Sequence, residues 1–147
     1  MNVLRRLLVV RAYVDYDKAK ETKMPVRDYD VDCAVKAISF SKDGSLLAYG
    51  GRNAKVYLVN LVGNETLQTI DVPSKVIALA SGENQPLIAV SVPNKILLWH
   101  IIESKLIGEY VFCQSGEHYC YSLVFIGDEI MAGIDNGDLL RIEVARN

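Results

Sequence analysis

Three segments of this chain place an asparagine in similar surroundings at a nearly constant interval. Asn53 sits in Gly-Gly-Arg-Asn-Ala-Lys, Asn94 in Val-Pro-Asn-Lys and Asn136 in Ile-Asp-Asn-Gly-Asp, 41 and 42 residues apart. Each follows a short apolar stretch containing an alanine: Ala48, Ala89 and Ala132. Each precedes an apolar run: Val56-Tyr57-Leu58-Val59, Ile96-Leu97-Leu98-Trp99 and Leu139-Leu140-Arg141-Ile142. Asparagine tolerates positive φ, so each site reads as the tight turn of a hairpin. A repeat of this length restricts the fold severely, because each unit must bury its apolar face by stacking on a neighbour.

The rest of the chain fits that frame. Short runs rich in Val, Ile, Leu and Tyr are cut by Gly, Pro, Asn and Asp, which is the signature of strands and turns. It predicts strands over 7–14, 25–30, 35–41, 46–51, 55–61, 67–72, 75–80, 87–92, 95–101, 106–112, 121–126, 129–134 and 138–144. The highly charged stretch 17–23 reads as a solvated loop. Connections are short, which favours antiparallel neighbours over helical crossovers. Upstream of each hairpin lies a further strand, and after the first two hairpins a fourth, Leu67–Ile70 and Leu106–Tyr110. Four antiparallel strands in about 40 residues make one blade of a β-propeller. The expected fold is therefore all-β, a partial β-propeller of about three four-stranded antiparallel blades.

The segment from Ala37 through Phe40, Ser41, Lys42, Asp43 and Gly44 to Gly51 resembles the WD40 repeat family. There an apolar strand ends in Phe-Ser, a Pro/Lys-Asp-Gly turn follows, and Leu-Ala-x-Gly comes next. The family's third strand usually ends in Trp-Asp; the matching pairs here are Val59-Asn60, Trp99-His100 and Ile142-Glu143. One keeps the tryptophan and none the aspartate. The Gly-His dipeptide before the first strand is absent throughout. The turn aspartate is matched by Asn53, by Pro93 or Asn94, and by Asn136, so the resemblance implies that the hydrogen-bonded tetrad of typical repeats does not form in full. It covers about residues 30–147, with repeats at about 31–72, 73–113 and 114–147. Residues 1–30 read as leading strands of an incomplete blade or as an N-terminal extension.

Composition excludes several classes. Half of the 147 residues are hydrophobic, enough for a core and too many for a disordered chain. Sixteen Lys and Arg against eighteen Asp and Glu give a net charge of −2, so no nucleic-acid or anionic-membrane partner is expected. The three cysteines, Cys33, Cys113 and Cys120, are too few and too odd for a disulfide framework, which points to a reducing intracellular compartment, cytoplasmic or nuclear. No apolar run reaches the roughly 20 residues that span a bilayer. The apolar stretch between Arg6 and Arg11 is four residues long, too short for a signal-peptide core. The arginines at 5, 6 and 11 leave a transit peptide as the alternative to a strand.

Reactive chemistry is thin. Cys113, His118 and Cys120, with His100 as a fourth donor, offer zinc-type ligands, but the spacing matches no paired-ligand knuckle. Two core cysteines and a surface-loop histidine is the simpler reading. A nucleophile would need a histidine and an orienting acid. His100 occupies the structural aspartate position of the Trp-Asp pair, and His118 has no evident partner. Asp128 and Glu129 are adjacent and would point to opposite faces of a strand. Gly50-Gly51 lacks a phosphate-loop context. The expectation is no catalytic residue, no metal, no cofactor, no small-molecule substrate and no enzyme. Trp99 is expected to pack between blades, with Tyr49 and Tyr57 similar. Tyr119, Tyr121 and Phe125 alternate as on a half-buried strand, leaving Tyr119 as the exposed one.

The resemblance implies a scaffold or adaptor that mediates protein–protein interaction within a larger complex. The family's partner-facing turn, between the second and third strands, points to Arg52, Asn53, Asn94, Asp135 and Asn136, with Tyr119 beside them; the simpler reading of each asparagine is a turn former. The alternative is a regulatory or enzymatic propeller, such as an exchange factor, whose active groups lie outside this chain. Rings need roughly four to eight blades. Three units, the last without a fourth strand, predict a piece of a propeller that is truncated or completed by a protein partner or a second copy.

Overall fold

A computed structural model describes residues 6–7, 30–31, 34–63 and 65–144. The chain divides into two units, Met1–Ala34 and Val35–Asn147. In the first, β1 (Arg6–Leu7) pairs antiparallel with β2 (Asp30–Val31). Apart from those residues, the expected strands 7–14 and 25–30 lie outside the described residues, as do the 17–23 loop, Cys33, Arg5 and Arg11.

The second unit is three antiparallel sheets, with no helix among the described residues. The first runs in chain order through β3 (Val35–Phe40), β4 (Leu46–Gly51), β5 (Lys55–Asn60) and β6 (Glu65–Asp71). The second comprises β7 (Ala78–Ser81), β8 (Leu87–Val92), β9 (Lys95–His100) and β10 (Lys105–Val111). The third has three strands, β11 (Cys120–Ile126), β12 (Glu129–Ile134) and β13 (Leu139–Glu143). This is the arrangement of a partial propeller.

Two strand starts in the second unit differ from expectation by two residues or more, and the other limits there agree to within one residue. The fourth strand of the first sheet begins at Glu65, because Glu65 and Thr66 already pair with Asn60 and Val59. The strand expected from 75 starts only at Ala78. The Val76 N–H is taken by the Gly51 carbonyl of the first sheet at 2.9 Å, so residues 75–77 tie two sheets together before the chain joins the second ladder.

Burial follows the position of each sheet. β8 reads Leu-Ile-Ala-Val-Ser-Val and is buried at every residue, as a strand covered on both faces must be. Ile88, Val90 and Val92 join Ala48, Val56, Leu58 and Ile70 of the first sheet in one core. Leu87 and Ala89 join Phe125, Ile130, Ala132 and Ile134 of the third sheet in another. The one buried polar side chain among the described residues is satisfied: the Ser91 hydroxyl donates to the Cys120 carbonyl at 2.9 Å. Outer strands alternate instead. β3 turns Ile38 and Phe40 outward, both nearly half exposed, and the outer face of the third sheet carries Val124, Ile126 and Leu139.

Trp99 packs against the core between the first and second sheets, as expected. Its Nε1 donates to Gln68 Oε1 at 3.1 Å, and Gln68 Nε2 donates to the Ile101 carbonyl at 2.6 Å. Tyr49 and Tyr57 stack with ring centroids 5.1 Å apart. The expected alternation over Tyr119, Tyr121 and Phe125 does not hold. A bulge between Cys120 and Ser122 inserts one residue and flips the parity of the strand. Cys120 and Phe125 are therefore both buried, while Tyr121 is 66% exposed.

The β3–β4 turn carries a titration signature. Asp43 Oδ1 accepts from the Ser45 N–H, the Ser45 hydroxyl and the Ser41 hydroxyl at 2.9, 2.7 and 2.7 Å. Those bonds favour the ionised form and pull its pKa from 3.8 to about 2. A depressed carboxylate pKa stabilises the fold above the unfolded value, and that contribution is lost as pH falls from about 4 towards 2. Asp43→Ala should flatten the acid limb of a stability–pH curve in that window; an unchanged limb would show that the turn does not prefer the ionised form.

Candidate functional site

The turns at Asn53, Asn94 and Asn136 join the second and third strands of their sheets. Their chemistry differs. The left-handed residue is Ala54 in the first turn (φ 59°), Asn94 in the second (φ 70°) and Gly137 in the third (φ 99°). Only Asn94 occupies the conformation for which asparagine was expected, because the three loops differ in length. Asn53 precedes the left-handed residue and donates its Nδ2 to the Tyr57 hydroxyl at 2.8 Å. Asn136 closes a local turn, accepting the Asp138 N–H at 2.9 Å and donating to Asp138 Oδ2 at 3.1 Å.

Asn94 holds the connector between the second and third sheets. Its Oδ1 accepts the His118 N–H at 2.7 Å and its Nδ2 donates to the Gly116 carbonyl at 2.9 Å. Its own N–H donates to the His118 carbonyl at 3.0 Å, and its carbonyl accepts the Phe112 N–H at 2.9 Å. Both ends of the 112–118 loop are thus fastened to one residue.

His118, expected to be a surface histidine without a partner, has one. Its Nδ1 lies 2.8 Å from Asp135 Oδ1, and the Asp135 N–H donates to the Tyr119 carbonyl at 2.9 Å. The third sheet therefore has a bond from a histidine ahead of its first strand to a carboxylate in its later turn. The partner of His118 in that turn is Asp135, and Asn136 bonds to Asp138. Glu117 separates Gly116 from His118, so no Gly-His dipeptide stands in the sequence there.

Tyr119 completes the cluster. Lys75 Nζ stands 5.3 Å from its ring centroid, and the Tyr121 ring lies 5.7 Å away. The hydrogen bond to the Glu117 carboxylate, aided by desolvation, raises the Tyr119 pKa above its usual value. Arg52 is exposed on the first turn, next to Gly51, whose carbonyl binds Val76 beside Lys75. One end of the three-sheet unit thus carries Arg52, Lys75, Tyr119, His118, Asp135 and Asn94, with charges of both signs. Asn94, Tyr119 and Asp135 are brought together; Arg52, Asn53 and Asn136 stand on their own turns.

The other reactive side chains have local partners. Cys113 Sγ donates to the Ser115 carbonyl at 3.1 Å, while Cys120 is buried and desolvation raises its thiol pKa. His100 Nδ1 accepts the Glu103 N–H at 3.1 Å. Among the described residues no three His, Cys, Asp or Glu side chains converge as a metal site would require. No helix among them is long and apolar enough to cross a membrane.

No family model matches the chain. It is 38% identical over 137 residues to a guanine nucleotide-binding protein subunit beta-like protein of Encephalitozoon cuniculi, covering 92% of this chain and 41% of that protein. It is 32% identical over 75 residues to the small ribosomal subunit protein RACK1 of Candida albicans, covering 51% of this chain and 24% of that one. The chain thus spans less than half the length of either relative. The solved structure of U3-55K superposes with a TM-score of 0.65 at 14% identity, over 86% of this chain and 44% of that one, a likeness of fold.

Proposed function

We propose, on the premise that this chain belongs to the WD40-repeat β-propellers as a divergent member, that it is the scaffold or adaptor portion of a multiprotein assembly. The observation that carries this reading is the end face built on Asn94. Side chains of both charges stand there with Tyr119, on turns and loops fastened by backbone hydrogen bonds, and a rigid rim of loops is where recognition is carried. The names of the relatives agree, since one is called a guanine nucleotide-binding protein subunit beta-like protein and the other a protein of the small ribosomal subunit.

Binding falls to Arg52, Tyr119 and Asp135, with Asn94 as the residue that positions the loop and Asn53 and Asn136 as turn formers. The role is non-catalytic. The partner is a protein or a second copy of the chain, in a reducing compartment, cytoplasm or nucleus. Residues 31–72, 73–113 and 114–147 act as the three repeats, preceded by a leading segment. Affinity capture tests the face: Arg52→Glu with Tyr119→Ala should remove a partner that the unaltered chain retains, with the circular dichroism spectrum unchanged. Retention of every partner by that variant overturns the assignment.

The open faces supply a second expectation. Ile38 and Phe40 on one outer sheet, and Val124, Ile126 and Leu139 on the other, are each worth about 1.5–3 kcal/mol when fully buried. β13 also lacks a fourth-strand neighbour among the described residues. The purified chain should therefore associate at micromolar concentration, as read by sedimentation velocity. A monodisperse monomer that binds no hydrophobic dye would refute this.

A further inference from the structure

The last strand of the third sheet has an open edge, and hydrogen-bond parity fixes which groups face it. At the two ends of the β12–β13 ladder the Ile134 N–H donates to the Asp138 carbonyl at 2.9 Å and the Val144 N–H to the Asp128 carbonyl at 3.2 Å. Antiparallel bonds recur at every second residue. Leu140 and Ile142 therefore turn their N–H and C=O groups towards β12, while Leu139, Arg141 and Glu143 turn theirs outward. No strand pairs with that edge among the described residues. Beside it lies a slot of about 280 Å³ between the second and third sheets. Ile96, Leu98, Ile107 and Tyr110 line it on one side, Ile142 and Val144 on the other. The seam between the first and second sheets has a fourth strand on both sides, β6 and β10; here only β10 is present.

Edge and slot together specify their occupant. Outward N–H and C=O groups on three alternate residues call for extended backbone. A strand laid antiparallel to β13 sends every second side chain to the face of Ile142 and Val144, and so into the apolar slot. The other face carries charge. Arg141 Nε donates to Glu129 at 2.7 Å, and Glu143, directly opposite Glu129 in the ladder, has no ion pair among the described residues. A cation across from Glu143 offsets that like-charged pair. A second copy does not fit the edge through its own β13. With β7 packed on β11, four strands lie over three and β10 stands one strand farther out than β13. Two copies joined at β13 would bring their β10 strands into the same space.

We propose that the β13 edge and its slot are a second binding site, for an extended segment of a partner protein. The segment runs antiparallel to β13, seats aliphatic side chains at alternate positions in the slot and carries a lysine or arginine opposite Glu143. The site shares no residue with the Asn94 face and takes from the preceding reading only that the partner is a protein.

The test is amide hydrogen exchange of the full chain, read by NMR at two protein concentrations with three probes. These are acetyl-threonyl-valyl-lysyl-isoleucyl-threonyl-valyl-threonine amide, its counterpart with glutamate for lysine and its counterpart with serine for isoleucine. In the free chain the Ile142 amide should exchange slowly and those of Arg141 and Glu143 fast. The lysyl probe should slow Arg141 and Glu143 saturably and bind about fivefold tighter than either counterpart. Glu143→Lys should reverse the preference between the lysyl and glutamyl probes. Arg141→Pro removes an edge N–H that β12 does not use, and should abolish binding while the β12 amides keep their protection. Equal binding of the three probes, a preference that Glu143→Lys does not move, or shifts centred on Asn94 and Asp135 would overturn the proposal. So would protection of Arg141 and Glu143 before any probe is added. Independent of protein concentration, it would give the edge to another segment of this chain; rising with concentration, it would give it to a second copy. The chain carrying Arg52→Glu with Tyr119→Ala should bind the lysyl probe as the parent does, so failure of the Asn94 face and failure of the edge are told apart.

Discussion

Trp99→Ala is expected to lower the unfolding free energy by about 3–5 kcal/mol. The indole packs on the core shared by the first and second sheets, so truncation leaves a void at the seam between repeats. It also strips Gln68 Oε1 of its donor, and a half-buried amide oxygen left unpaired adds about 1 kcal/mol. For a domain of this size each kcal/mol moves the melting temperature by roughly 3–4 °C, so the shift should exceed about 10 °C. Trp99→Phe separates the two contributions: it keeps a ring in the seam and loses the N–H, and should cost about a third as much. Thermal or urea unfolding reads both. A Trp99→Ala variant within about 0.5 kcal/mol of the parent would show that the indole does not join the sheets.

The second large effect is expected at Asn94. Asn94→Ala removes the bonds to the His118 N–H and the Gly116 carbonyl, about 1 kcal/mol each, and places a Cβ-bearing residue with no polar side chain at φ 70°, about 1 kcal/mol more. The total is about 3 kcal/mol. Asn94→Gly relieves the backbone term alone and should recover about 1 kcal/mol. Asn136→Ala, which removes an exposed local turn bond, should cost under about 1 kcal/mol. Equal losses at the two asparagines would mean that the turns are equivalent after all. Hydrogen exchange adds a signature of its own: in Asn94→Ala the amides of Phe112 and His118 should lose protection while those of β12 keep theirs.

That contrast marks the limit of what motif spacing reveals. The interval between the asparagines leads to the right turns, but which turn needs a left-handed asparagine depends on loop length, and the three loops differ. The expected strands in the second unit fall close to the observed ones, because period-two alternation and turn residues are local properties. The place of each sheet is legible too. The run of β8, apolar but for Ser91, belongs to a strand buried on both faces, and the alternation in β3 and β13 to strands with one face open.

The all-β architecture, the repeat, the strand limits to within a few residues and the tryptophan at the seam were therefore legible in the chain itself. All of these rest on chemistry within a few residues of chain. The tertiary structure alone decided the pairs that stacking creates. His118 meets Asp135 across 17 residues, Trp99 reaches Gln68 across 31 and Asn94 grips His118 across 24. It also placed the bulge that turns Tyr121 outward, since one inserted residue reverses every later side chain on a strand, and no local preference announces where the insertion falls. A cleft between the first two sheets has the same origin: its lining, from Ser41 to Ala48 on one side and Ser81 to Ile88 on the other, comes from separate repeats that meet only once they are stacked.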